Sequence, residues 1–480
     1  MQIVPSTALA LLLVLALMLR GPWRGLPLLM AATPFGVAAA FNLPAAGGAS
    51  IMVVDLGVVA AFGLFLLQSD SPARLLGTMR PFQPGFYLAL LTLFCAVSAV
   101  LFPRLFAGMT EVFGLARSNN SVGIIEISLH PSSGNLTQLF RILIDAMAFF
   151  AFATLARERP AQQLVLKAML VATWVNVALG WLDVLSFDAH LPALMDPIRT
   201  ANYAILFDNA MAGMKRMIGG FSEASSFGYY CLGAFGFWAQ YRLSGGRVRG
   251  SGLALAAATV VLLRSTSSSA YVSVLAFLMT AGGVALARHF GRSVDRRLVA
   301  TLVRASVALW LTLIALGAAY VLLDPVQAFF NRALFDKLGT ESGIERMTWN
   351  LRAWQNFLQT GLMGAGLGSM RASNWLLACL GSIGLVGTGL YLGFLAALFR
   401  APTPADREQA AVIDGLKAGC LAMFISAMLT QPTPDLGIFF FLLAGLATGL
   451  SRGAALESAP GRSLPIGSAP YRNRPARAGL

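Results

Sequence analysis

Residues 84–102 read Pro84-Gly85-Phe86-Tyr87-Leu88-Ala89-Leu90-Leu91-Thr92-Leu93-Phe94-Cys95-Ala96-Val97-Ser98-Ala99-Val100-Leu101-Phe102, without a single charge. A helix needs about 20 predominantly apolar residues to cross the hydrocarbon core of a bilayer, so this stretch predicts a transmembrane helix. Comparable stretches lie on both sides of it, near 4–19, 26–41, 51–68, 138–155, 162–182, 224–242, 251–264, 268–287, 300–323, 375–398, 411–430 and 436–450. Arg264 and a Ser/Thr run divide 251–264 from 268–287. Arg20 and Arg24 follow the first stretch and no positive charge precedes it, so it is expected to be a span and not a cleaved signal peptide. The pattern predicts an all-α polytopic membrane protein with about 12–13 transmembrane helices. Residues 1–450 read as a single membrane domain. Residues 451–480, rich in Pro, Gly, Ser and Arg, read as a basic disordered tail.

Composition excludes the alternatives. Hydrophobic residues make up 57% of the 480 and charged residues 12%, against about 25% charged in soluble domains. A mean hydropathy of +0.71 also argues against disorder, fibrous repeats and a disulfide scaffold. Cys95, Cys231, Cys379 and Cys420 all fall in apolar segments. His130, His190 and His289 are scattered, and nothing has metal-site spacing. In a soluble protein a net charge of +14 would suggest nucleic acid. Here it follows from the enrichment of cytoplasmic loops in Lys and Arg, and no nucleic-acid partner is expected.

Charge also sets the orientation. With the N-terminus outside, the inward loops and the tail hold 23 of the 35 basic residues, at least two in every segment. The outward loops at 42–50 and 431–435 hold none. This predicts N-out, C-in. The remaining twelve lie at Arg264 and in three long outward segments, around 103–141, 183–223 and 324–374.

Three constellations stand out there. The first runs Lys215-Arg216-Met217-Ile218-Gly219-Gly220-Phe221-Ser222-Glu223-Ala224-Ser225-Ser226-Phe227-Gly228. Glycine lets backbone approach a ligand closely, and a helix N-terminus favours anions, so Arg216 is a candidate phosphate ligand beside Glu223. Alternatively, Glu223 only favours the helix dipole while Ser222, Ser225 or Ser226 caps the helix. The second is Leu263-Arg264-Ser265-Thr266-Ser267-Ser268-Ser269-Ala270-Tyr271. An arginine near hydrocarbon usually faces a polar cavity or partner, or snorkels from a helix end. The third is 340–374. Ser342-Gly343-Ile344-Glu345 matches a capping box, and Ile344, Met347, Leu351, Trp354 and Phe357 mark one apolar face of an amphipathic helix over 343–359 at the outer surface. Glu345 then reads as a cap, whereas Arg346 opposes the dipole of its own first turn and is a functional candidate. Gly361-Leu362-Met363-Gly364-Ala365-Gly366-Leu367-Gly368-Ser369-Met370-Arg371 follows. It lacks the GK[ST] ending of a nucleotide loop, and no cofactor is expected. Such an arginine-rich, glycine-bent outer surface suits a lipid diphosphate sugar, whose leaving charge fixed arginines would stabilise without a metal.

These blocks resemble the O-antigen polymerase (Wzy-type) and O-antigen ligase superfamily. Arg216 through Gly228 is similar to its R-x-x-G-x-F-x-E-x-S block. Leu262–Tyr271 resembles its T-x-S-R block, although the arginine here precedes the hydroxyls. Arg346 through Gly387 resembles its C-terminal block, with Arg346, Trp354, Gly364, Gly366, Gly368, Gly384 and Gly387 in place. The motifs cover about 215–387.

The resemblance implies a GT-C-like, metal-independent, inverting glycosyltransferase in a bacterial inner membrane. It would act at the periplasmic face on undecaprenyl-diphosphate-linked oligosaccharide. Glu223, Arg216 and Arg346 would be catalytic, and Lys215, Arg216, Gly220, Arg264, Arg346, Arg352 and Arg371 would bind diphosphate or glycan. Membrane lipids, a chain-length regulator or polysaccharide export proteins are the implied partners. Ligases of the group carry a histidine after the glycine-rich block. Here Ala372-Ser373-Asn374-Trp375 stands there, and no histidine follows His289. This favours a polymerase making O-antigen or exopolysaccharide over a ligase transferring glycan to lipid A–core. A flippase for lipid-linked sugars is the rival of another class, but no convincing internal repeat of the transporter kind is present.

Overall fold

A computed structural model describes residues 1–44, 48–118, 121–202, 205–206, 208, 210–211, 214–290, 314, 317–324, 327 and 341–457. The chain is mostly helical, at 71%. In order, the helices are α1 (Thr7–Arg24), α2 (Leu26–Ala32), α3 (Val53–Leu66), α4 (Ser71–Leu76), α5 (Pro84–Leu105), α6 (Ser133–Glu158), α7 (Gln162–Asp188), α8 (Ala224–Leu243), α9 (Ser251–Arg264), α10 (Ser268–Phe290), α11 (Glu341–Gln359), α12 (Trp375–Arg400), α13 (Arg407–Thr430) and α14 (Gly437–Glu457). Among the described residues, seven of them (α1, α5, α6, α7, α12, α13 and α14) are long and apolar enough to cross a membrane. Shorter apolar helices are α3, α9 and the Ser268–Gly283 part of α10, and α8 reaches 20 residues with a more polar sequence. The protein has the build of a multi-pass membrane protein. Of the expected spans, 300–323 lies largely outside the described residues.

One expected span is not a single helix. Residues 26–41 give the short α2 and then a strand, β2 (Ala39–Leu43), which pairs on either side with β1 (Gln2–Ile3) and β3 (Ala49–Met52). Pro34 lacks the N–H that a continuing helix needs, and the turn after it is held elsewhere: the Val37 N–H donates to the Gly220 carbonyl at 3.0 Å. A second departure from an all-α fold is the hairpin β4 (Glu111–Ser118) and β5 (Ser121–Ser128) in the first long outward segment. A third is the two-residue pair β6 (Ala210–Met211) and β7 (Met214–Lys215). At the other end of the chain, α14 continues to Glu457, past the expected start of the tail; 458–480 lie outside the described residues.

Small residues set the closest helix contacts. On α14, Gly445, Gly449 and Gly453 fall four apart, and a Cβ at each would meet the α6 carbonyls of Phe149, Ala153 and Arg157 at 2.7, 2.4 and 2.8 Å. The two backbones therefore touch along a small-xxx-small seam, the arrangement by which helices associate where lipid supplies no hydrophobic driving force. Helix α8 meets α13 in the same manner, with Gly233 against Met423 and Gly236 against Ala422. All four cysteines are buried and free.

Candidate functional site

One end of the bundle, the one the charge count places outward, is built around Asp183, near the end of α7. Its fully buried carboxylate accepts from the Lys215 ammonium at 2.6 Å, from the Arg199 guanidinium, and from the N–H groups of Ile218 and Gly219 at 2.8 and 3.1 Å. Arg199 also donates to the Gly219 carbonyl at 3.2 Å, and Arg264 Nη1 donates to the Lys215 carbonyl at 2.8 Å. A buried carboxylate is tolerated only when paired and hydrogen-bonded, and here two cations and two amides satisfy it. Together they fix the backbone from Lys215 to Gly219. Burial pulls the Lys215 ammonium below its ordinary value; Asp183 opposes this, and Arg199 and Arg264 add to it. Lys215, expected as a ligand for the substrate, is instead committed to Asp183, and Arg264 braces the same chain.

Arg216, the next residue, has different surroundings. The charges acting on it are Glu223, Arg346 and Tyr271, and its Nε is buried without a hydrogen bond among the described residues. Burial pulls the guanidinium below its ordinary value; Glu223 opposes this and Arg346 adds to it. Glu223 is the residue immediately before α8, in extended conformation, and its side chain makes no capping bond. Its carboxylate accepts from the Ser225 hydroxyl instead. Its place at the start of α8 suits the helix-dipole reading, whereas the serine cap expected with it does not form, since the N-cap residue is Glu223 itself. Arg346 reaches this group from α11, and Tyr271 from α10, where it lies near both Arg216 and Arg264. The Tyr271 hydroxyl donates to the Leu263 carbonyl at 2.7 Å. Between α9 and α10, Ser265, Thr266 and Ser267 are buried, and Thr266 adopts φ 50°, rare for a β-branched residue.

Other expected ligands go elsewhere. Arg352 pairs with Glu126 of β5. Arg371 ends the glycine-rich turn and is not among the charges acting on Arg216. Gly220 packs against the turn after α2, where a Cβ would stand 2.3 Å from the Pro34 carbonyl oxygen, so its small size serves packing. On α11, Ile344, Met347, Leu351 and Trp354 are exposed as expected for a surface helix, while Phe357 turns inward with Ala353 and Asn356. The helix begins at Glu341, before Ser342, so the capping box is not at the helix start. Among the described residues, no group of three or more His, Cys, Asp or Glu is placed to hold a metal.

Sequence reasoning gave no role to Asp183, Arg199 or Tyr271. Asp183 had a signal: it is an acid directly at the end of the apolar stretch 162–182, where ionisable residues mark function or pairing.

The glycine-rich turn has a structural explanation of its own. Helix α12 is broken at Gly384 (φ 61°, ψ −163°), which orphans carbonyls above the break. The turn supplies the missing donors: Ala365 N–H to Gly381 O at 2.7 Å, and Gly366 N–H to Ser382 O at 2.9 Å. In return, Leu385 N–H donates to Leu362 O at 2.9 Å. Ser98 of α5 and Asn135 of α6 hold the turn from the other side, by bonds to Leu367 N–H (3.2 Å) and Leu367 O (2.7 Å). Irregular backbone at membrane depth is tolerated when protein buries it in this way.

No protein-family model matches the chain, and a search of curated proteins finds no match to it.

Proposed function

We propose that the protein is a membrane-embedded glycosyltransferase that joins polyprenyl-diphosphate-linked oligosaccharide repeats into a surface polysaccharide, with a GT-C-like bundle and an active site on the periplasmic side of a bacterial inner membrane. The observation that carries the reading is Arg216. It is held by a clamped backbone, keeps a buried Nε without a partner, and faces both a second arginine and a carboxylate. Arg216 and Arg346 would grip the diphosphate and stabilise the negative charge that grows on it as the anomeric C–O bond breaks. Glu223 would take the proton of the attacking sugar hydroxyl, which requires the two to lie within hydrogen-bond reach. One in-line displacement of this kind inverts the anomeric carbon. The missing histidine after the glycine-rich turn supports polymerase over ligase.

The test supplies the purified protein, in detergent, with undecaprenyl-diphosphate-linked repeats and resolves the products by gel. A ladder is the expected result, and it should persist in EDTA. A single addition that needs lipid A–core would mean ligase. Unchanged substrate with both acceptors would favour a transporter. One group of residues supports that second reading: Asp55 and Arg141 form a buried ion pair at 2.9 Å, and Asp145 and Asp435 lie close to them. Intramembrane ionisable residues commonly mark ion or substrate paths.

A further inference from the structure

At the opposite end of the bundle, α5 with the turn before it, α12 and α14 line an open cavity of about 650 Å³, within the ordinary range for small-ligand sites. Arg80, Arg400 and Arg452 line it, and among the described residues no acid does. Among the described residues none of the three forms an ion pair. Arg452 Nη1 is buried without a hydrogen bond, and so is the amide oxygen of Gln83 in the same wall. Arg157 adds a fourth positive charge near Arg452. Its partner, Glu158, is also engaged by Arg74, so that acid is shared by two arginines.

Arg452 is half-buried, and a buried guanidinium nitrogen without a partner is costly; residues 458–480 add four more arginines and no acid. The rest of the wall is apolar, with Tyr87, Ala397 and Leu456, and Phe82 beside it is 79% exposed. All four arginines belong to the segments that the charge count assigns to the cytoplasmic side.

We propose that this cavity is a binding site for an anionic glycerophospholipid of the inner leaflet. The headgroup phosphate would sit among Arg80, Arg400 and Arg452. A headgroup hydroxyl would donate to Gln83, and an acyl chain would lie along Tyr87 and Leu456. Basic pockets between membrane helices on the cytoplasmic side are suited to such headgroups. The proposal is independent of the chemistry at the outward end and stands if that reading fails.

Native mass spectrometry of the delipidated full chain, re-supplied with single lipids, tests it. Each basic residue near a membrane surface contributes about 1 kcal/mol toward anionic lipid, so phosphatidylglycerol should be retained at least about tenfold more tightly than phosphatidylcholine. The double variant R80A/R400A, which removes two exposed side chains, should abolish that preference, as should Arg452→Gln. Glycerol phosphate should not displace the lipid. Equal retention of the two lipids, or a preference that survives in both variants, would overturn the site. Displacement by glycerol phosphate at the concentration at which short-chain phosphatidylglycerol displaces the lipid would overturn the lipid assignment in favour of a soluble phosphate.

Discussion

Arg216 and Lys215 are neighbours in sequence, yet their charges meet different partners, and this separates their predicted behaviour. Lys215 is 5% exposed and neutralises Asp183, so its removal should act through stability and positioning. Arg216 faces Glu223 and Arg346 and should act on turnover. Arg216→Ala is expected to lower polymer formation by about 10²–10³-fold, the usual effect of removing one charge-stabilising donor, with membrane insertion intact. Arg216→Lys should rescue it poorly, because the planar fork is lost. Glu223→Gln, measured in the same gel assay, should reduce turnover by about 10²–10⁴-fold if the carboxylate moves a proton; unchanged turnover would leave it as the partner of Ser225 alone. Asp183→Ala leaves two cations facing one another, and breaking a buried pair costs about 3–5 kcal/mol. A thermal unfolding midpoint in detergent equal to that of the parent protein would contradict the clamp.

Among the elements, the glycine-rich turn and broken α12 make the sharpest forecast. A Cβ on Gly384 would meet the Met363 and Leu362 carbonyl oxygens at 2.3 and 2.4 Å, at a φ that L side chains avoid. Gly384→Ala should therefore destabilise the bundle by about 1–3 kcal/mol or more, the usual range for overpacking, readable as a lower midpoint. Gly389→Ala on the same helix meets nothing within 4 Å and should be close to neutral. Sequence made most of the helices legible because each is a long apolar run between charges. It placed the α9–α10 boundary at Arg264 and the Ser/Thr run, as found. It joined 26–41 into one span because apolarity alone does not register what Pro34 does to the backbone. The hairpin was present in the β-branched residues Val122, Ile124, Ile125 and Ile127 and in the Asn119-Asn120 pair typical of turns, but a charge-counting search for membrane runs passes over it. In the candidate site, Arg216, Glu223 and Arg346 could be named from their outward position. The pairing of Lys215 with Asp183 could not, since it joins residues from two elements.

For the whole molecule, the distribution of charge predicts the topology. A phosphatase reporter inserted between β4 and β5 should be active, and one fused after Glu457 inactive; the reverse pattern would invert the positive-inside assignment and with it the side on which both sites lie. The break in α12 has a consequence for biogenesis. When Trp375 leaves the ribosome, residues 361–374 are already synthesised, and so are the α5 and α6 surfaces that hold the turn. Until the turn docks, the carbonyls of Gly381 and Ser382 lack partners, a state that lipid penalises by several kcal/mol per group. The half-helix from Trp375 to Ile383 is also far shorter than the bilayer core. Helix α12 therefore reaches its broken form only together with the loop that precedes it: the break and the seating of that loop are one step.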